Sequence, residues 1–296
     1  MRIANLPWYD FAELTVATDA FWRGVRRHLV AQGVDDLPET LDRKTPHAEQ
    51  WRRSELLLSQ ACGYDVLYDA AADLQVVATP RFDAEGCEGS CYRSAIVVRA
   101  GDHVRDLRDL RGRVAVVNEA SSHSGTNAFR PLVAPLARNG RFFSAVFVSG
   151  DHVSSLEMVA DGRADVACVD VVVIELCRQV RPQSLAGLEI LQLTAPAPAP
   201  PYVTSARTPT ELVAALRRAL QSAMTDPTMT PARSALCVGG VDLLPPDAYS
   251  SLAAFEAPAL AHGYFELPAP NLSPVRTPAS RDAPPAFRVR SRCTAR

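Results

Sequence analysis

Val114–Leu132 reads VAVVNEASSHSGTNAFRPL, and the order of its parts decides the fold. The apolar run from Val114, closed by Asn118, has the character of a buried strand. A polar turn holding Ser121, Ser122, His123 and Ser124 follows, and Gly125 opens a helix. Strand, turn and helix in that order form the repeating unit of an α/β protein with a largely parallel sheet. The first turn of a helix leaves four backbone N–H groups unpaired, with a partial positive charge at that end. Hydroxyls from Ser122 and Ser124 add donors there, and Gly125 allows close approach to the backbone. Together they make a neutral cradle for a small oxyanion such as phosphate, phosphonate or carboxylate. One capping serine would account for one hydroxyl. Three with a histidine among them exceed that need, and the lysine of a P-loop is missing.

Downstream, Phe143–Val148 reads as a strand, and Ser149-Gly150-Asp151-His152 joins it to a helix marked by Val153, Leu156, Val159 and Ala160. His152, near that helix's start, is placed to donate to an anion on the serine turn. The next strand, Asp165–Val169, puts Asp170 at its carboxyl end, the edge where ligands bind in open α/β sheets. A cap for the helix Val171–Val180 explains Asp170 equally well. Leu188–Leu193 is a further strand. TAPAPAPPY after it is too rich in proline for a helix or a central strand. Thr208-Pro209-Thr210-Glu211 has the pattern of a capping box with Pro at the first helical position, for a helix to about Met224. A weak helix spans Asp247–Leu260.

Upstream, Ile3–Leu6 is an opening strand ended by Pro7. Thr18–Gln32 reads as a helix capped by Thr18 and stopped at Gly33, with Phe21, Trp22, Val25 and Leu29 on one face. His47–Ser54 is a short helix, Leu56–Leu58 a strand, Gln60–Tyr64 a loop, and Leu74–Ala78 a strand stopped by Pro80. The Cys87–Cys91 loop precedes the strand Ser94–Arg99. Tyr9, Gln60 and Tyr92 each fall at or beside a strand end and are further ligand candidates. Each tyrosine also suits a half-buried packing role.

The 296 residues suffice for two compact units. A 47% hydrophobic and 22% charged composition with net charge −2 is that of an ordinary globular protein. It argues against a nucleic-acid binder or a polybasic membrane surface. No apolar run reaches the length of a membrane span, and MRIANLPWYDF lacks the order of a signal peptide, so the expected compartment is the cytoplasm. Seven scattered cysteines do not form a disulfide framework. Cys87 and Cys91 lack a second Cys/His pair at ligand spacing, so no metal is expected. No cofactor is expected either. From Pro268 on, the Pro-, Ala-, Ser- and Arg-rich composition predicts disorder.

YRSAIVVRAGD, DLRDLRGRVAVVN, the S-x-S-G turn at Ser122–Gly125 and SGDHVSSLEMVADGRADVACVD, in that order, resemble the phosphate/phosphite/phosphonate substrate-binding proteins of ABC transporters. The similarity covers roughly Ile3–Leu267. It implies a type II periplasmic-binding-protein clamshell whose lobes are each a mixed, mostly parallel sheet flanked by helices. Residues 1–94 and 202–267 would form lobe 1, residues 99–194 lobe 2, 95–98 and 195–201 the hinge crossovers, and 268–296 a tail. It further implies an anionic ligand on Ser122, His123, Ser124, His152 and Tyr92, with Asp170 an addition, His123 making contact through its backbone, and an ABC permease as partner. A cytoplasmic sensor on the same fold is the alternative. An enzyme using Cys62, His123 or His152 ranks last, because no nucleophile stands beside an evident base.

Overall fold

The computed structural model describes residues 2–68, 70, 72–245, 247–264, 267 and 288–289. The chain divides into two compact units: Met1–Tyr92 with Ala197–Ser251, and Arg93–Pro196 with Leu252–Arg296. It runs through β1 (Ile3–Ala4), α1 (Thr15–Val30), α2 (His47–Trp51), β2 (Leu56–Gln60), α3 (Gly63–Leu67), β3 (Leu74–Phe82) and β4 (Cys91–Tyr92) in unit 1. Unit 2 follows with β5 (Ser94–Arg99), β6 (Val114–Val117), α4 (Arg130–Val133), β7 (Ala145–Val148), α5 (His152–Ala160), β8 (Val166–Asp170), α6 (Val171–Val180) and β9 (Leu188–Leu193). The chain re-enters unit 1 with β10 (Ala197–Pro198), β11 (Tyr202–Ser205), α7 (Thr210–Thr225), α8 (Thr230–Ala235) and β12 (Val238–Asp242). Unit 2 then gains α9 (Ala253–Ala261) and β13 (Arg288–Val289).

Unit 1 holds a sheet in the order β1-β2-β11-β3-β12 and a small ribbon of β4 and β10. Among the described residues, only its β1–β2 pairing is parallel. Helices α1 and α7 pack against each other; Phe21, Trp22, Val25 and Leu29 of one and Leu216 and Leu220 of the other are buried, with the Phe21 ring stacked on Tyr202 of β11. Gly33 ends α1 with φ 75°, as its position predicted.

Several sequence expectations for unit 1 are corrected. Thr18 is not a cap: α1 starts three residues earlier, and the buried Thr18 hydroxyl donates to the Leu14 carbonyl at 3.1 Å. Strand β3 runs through Pro80 instead of stopping there. β11 pairs with Leu74–Ala78 and β12 with Thr79–Phe82, so Pro80 has a ladder partner on one side only. A missing N–H is tolerated at such an edge. The proline-rich stretch ends in Tyr202, which begins β11, an interior strand. The capping box does not form: α7 has no side-chain cap, and the Thr208 hydroxyl pairs instead with that of Thr204 at 2.8 Å.

Unit 2 holds a sheet in the order β13-β9-β5-β8-β6-β7. Its three strands β8, β6 and β7 run parallel, and β5 is antiparallel to both neighbours. Ala95–Val98, expected as a hinge crossover, form the fully buried inside of β5. Residues 252–264, expected in the first lobe, belong to unit 2, where Ala259 and Tyr264 join a core with Ile96, Val117, Phe129 and Phe143. Residues 268–296, expected to be disordered, lie outside the described residues except 288–289, which pair in parallel with β9. Among the described residues, no helix is long and apolar enough to cross a membrane.

Candidate functional site

The parallel trio β7-β6-β8 fixes where the polar residues of unit 2 gather. Parallel neighbours end at the same sheet edge, so three strand exits bring Asn118–Gly125, Ser149–His152 and Asp170 to one rim. The antiparallel β5 starts at that rim, with Ser94 opposite Asp170.

The serine turn is a π-helix, His123–Asn127, with Ser122 as its cap. Its N–H groups at Asn127 and Ala128 reach the carbonyls of Ser122 and His123, five residues back, at 3.0 and 2.8 Å. Single π turns recur at functional sites because they re-aim side chains that an α turn would stack. Ser122 Oγ accepts the Gly125 N–H at 3.1 Å and lies 3.3 Å from Ser124 Oγ. Ser124 Oγ in turn lies 2.8 Å from His152 Nε2. The two hydroxyls therefore do not stand unpaired, as expected from the sequence, but form a chain that ends on the histidine. Gly125 also has a different task. A Cβ there would stand 1.9 Å from Asn118 Oδ1, so the glycine makes room for the chain's own asparagine.

Burial sets the protonation of both histidines. It lowers the His152 pKa from 6.5 to about 4 against the pull of Asp151, and lowers that of His123 to about 4. Nδ1 of His152 is buried without a partner. A proton there would be a buried donor with no acceptor, a costlier defect than a bare lone pair. The proton thus sits on Nε2 and donates to Ser124 Oγ. That polarity sends the Ser124 hydrogen on to Ser122 Oγ, which also accepts the Gly125 amide, so the Ser122 hydroxyl hydrogen is the one left to donate onward. The arrangement presents a neutral donor, which suits an oxyanion.

The other predicted residues divide. The His123 ring is engaged within unit 2 by Asn127 and Phe255. Asp170 is buried, and its carboxylate accepts the Val172 N–H at 2.8 Å as the cap of α6. Tyr9 and Gln60 belong to unit 1, where they line a cavity of about 20 Å³ with Trp8, Phe21, Phe82 and Tyr202. Such a cavity has room for one water. Gln60 Nε2 donates to the Pro200 carbonyl at 3.0 Å. Tyr9 holds a left-handed φ of 64° and meets the Phe82 ring edge-on. Tyr92 is buried in the β4–β10 ribbon opposite Ala197. Cys62 is a buried residue preceding α3 in unit 1.

Sequence reasoning missed Asn118, Asn127 and Cys168. The buried Cys168 thiol donates to the Ser124 carbonyl at 3.0 Å, and burial pushes its pKa up, so it stays protonated. The i, i+4 spacing of His123 and Asn127 was the available signal. Among the described residues, no three His, Cys, Asp or Glu side chains cluster in a way that would hold a metal ion.

Comparison with known proteins agrees with this architecture. The model of the family described as "ABC transporter, phosphonate, periplasmic substrate-binding protein" matches residues 48–249. A binding-protein component of an ABC phosphonate transporter from Pseudomonas aeruginosa superposes with a TM-score of 0.72 at 12% identity, over 88% of this chain and 87% of that one. PhnD1 from Prochlorococcus marinus, solved with methylphosphonate, gives 0.68 at 14% identity, over 87% and 97%. XAC2383 from Xanthomonas citri, solved with ATP, gives 0.65 at 16% identity, over 88% and 98%. At these identities the likeness concerns the fold, that of the type II periplasmic binding proteins. No curated protein matches the sequence.

Proposed function

Since the chain belongs to the family of periplasmic substrate-binding proteins of phosphonate ABC transporters, we propose that its solute is a small phosphorus oxyanion, a phosphonate, phosphite or phosphate, held at the Ser122–Ser124 turn. The observation that carries this reading is the polarised chain from His152 Nε2 through Ser124 to Ser122, assembled at one rim of the unit 2 sheet. Its far end offers the Ser122 hydroxyl hydrogen without a fixed positive charge. Donation to a charged oxygen is stronger than between neutral partners. Tyr92, Tyr9, Gln60 and Asp170 are secondary candidates for the same ligand, and closure of a clamshell over it is part of the proposal.

The Ser124–His152 pair also has the reach of a nucleophile and its base. Among the described residues, however, no carboxylate orients the histidine. Nδ1 has no partner, and the Asp151 carboxylate is engaged by the Ser154 N–H and hydroxyl at 2.8 and 2.6 Å. This favours binding over catalysis.

Isothermal titration with phosphate, phosphite, methylphosphonate and 2-aminoethylphosphonate tests the reading. Saturable binding of at least one is expected, and no heat from any of them with folded protein would refute it. The family's role adds an ABC permease as partner and the periplasm as compartment. Fractionation of the native host should place the chain outside the cytoplasm, and recovery with cytoplasmic proteins would favour the sensor alternative.

A further inference from the structure

The back of the serine turn is held by a segment far away in the chain. Asn127 Nδ2 lies 3.3 Å from the Leu252 carbonyl, just ahead of α9, and 3.1 Å from His123 Nδ1. The Phe255 ring of α9 meets the His123 ring edge-on, with centroids 4.8 Å apart. Both Asn127 and His123 are buried. A carbonyl only accepts, so the face of Asn127 toward Leu252 must be its NH2 group. Asn127 Oδ1 is then left buried without a partner. Turning the amide over would set two carbonyl oxygens against each other, so the orphaned oxygen is the lesser defect. With one hydrogen given to Leu252, the other faces His123 Nδ1, which must offer a lone pair. His123 is thereby fixed with its proton on Nε2.

We propose that Asn127, gripped by the Leu252 carbonyl, is the positioning residue of the serine turn. By setting the tautomer and plane of the His123 ring, it holds the π-helical pitch that presents Ser122 and Ser124. The reach of the turn then depends on the segment after Ser251 as well as on its own sequence. This deepens the oxyanion reading and rests on it for the binding measurement, while the tautomer can be read without any ligand.

Nitrogen-15 NMR of the histidine rings in the full chain gives the first test. Nε2–H at His123 is expected, and Nδ1–H would overturn the proposal. Asn127→Asp exchanges the donor for an acceptor, so His123 should switch to Nδ1–H and the Kd for methylphosphonate should rise at least fivefold. Should that variant not fold, Asn127→Ala removes the donor without adding charge and should erase the tautomer preference with a similar loss of affinity. If the tautomer switches but the Kd stays within twofold while Ser124→Ala weakens binding, the positioning role is overturned and the oxyanion site stands. If Ser124→Ala also leaves binding unchanged, the oxyanion reading itself has failed and the binding role of Asn127 with it.

Discussion

The serine turn of unit 2 and the Tyr9–Gln60 region of unit 1 both follow strand exits, yet the two are built differently. In the first, Ser122, Ser124 and His152 bond to one another, and the candidate residues are each other's partners. In the second, Tyr9 and Gln60 sit among Trp8, Phe21, Phe82 and Tyr202, and Gln60 is tied to a backbone carbonyl. A polar chain in a buried setting is stable only when its members satisfy one another, so it responds as a unit. An aromatic setting loses packing one residue at a time. The difference predicts that unit 2 should be the more sensitive to protonation and to small polar changes.

The largest expected effect is of pH. His123 and His152 each have a pKa near 4 in the folded chain against 6.5 as a free group. Between these values the unfolded chain takes up protons that the folded chain refuses. The stability they confer is therefore complete above about pH 6.5 and is lost as pH falls toward 4. Linkage bounds the loss at on the order of 3 kcal/mol per histidine. Urea titrations at stepped pH check this, and a His152→Gln chain should show a shallower decline. A flat profile from pH 7 to 4 would remove the buried neutral histidines from the account.

Gly125→Ala comes next. Its Cβ would strike Asn118 Oδ1, and the overpacking should cost about 1–3 kcal/mol in urea melts. An unchanged midpoint would mean that Asn118 moves aside freely. Ser124→Ala or His152→Ala should each weaken methylphosphonate binding by about tenfold or more, equivalent to about 1.4 kcal/mol. Gln60→Ala in unit 1 should weaken it by less, about threefold. Titration calorimetry on the three variants orders the two regions, and a larger effect from Gln60 would reverse the comparison. Thr208→Ala has a comparably small effect, on stability alone. It removes a hydroxyl pair and no helix cap, so the loss should be about 0.5–1 kcal/mol with helix content by circular dichroism unchanged.

How far these regions could be read from the chain alone follows from the range of the forces involved. The strand Ser94–Arg99, the helix Val171–Val180 and the strand Leu188–Leu193 stand where the apolar pattern placed them, because burial and periodicity are local signals. β11 was hidden because it is four residues long and starts directly after Pro200 and Pro201. Pro80 misled because its tolerance depends on which neighbour stops pairing, a property of the sheet rather than of the residue. At the site, Ser122, Ser124 and His152 were legible as residue types at strand exits. That their polar atoms bond to one another was not, since it depends on two strands lying side by side. Nor could the grip of Leu252 and Phe255 on the turn be seen, as nothing near Asn127 points to a segment so distant in sequence.

The proposed binding of a phosphorus oxyanion at the Ser122–Ser124 turn has a visible consequence. A crystal structure of the chain grown with methylphosphonate tests it most directly. Tetrahedral density is expected within hydrogen-bond distance of the Ser122 and Ser124 hydroxyls. Density seated elsewhere while those hydroxyls still bond only to His152 and to each other would contradict it.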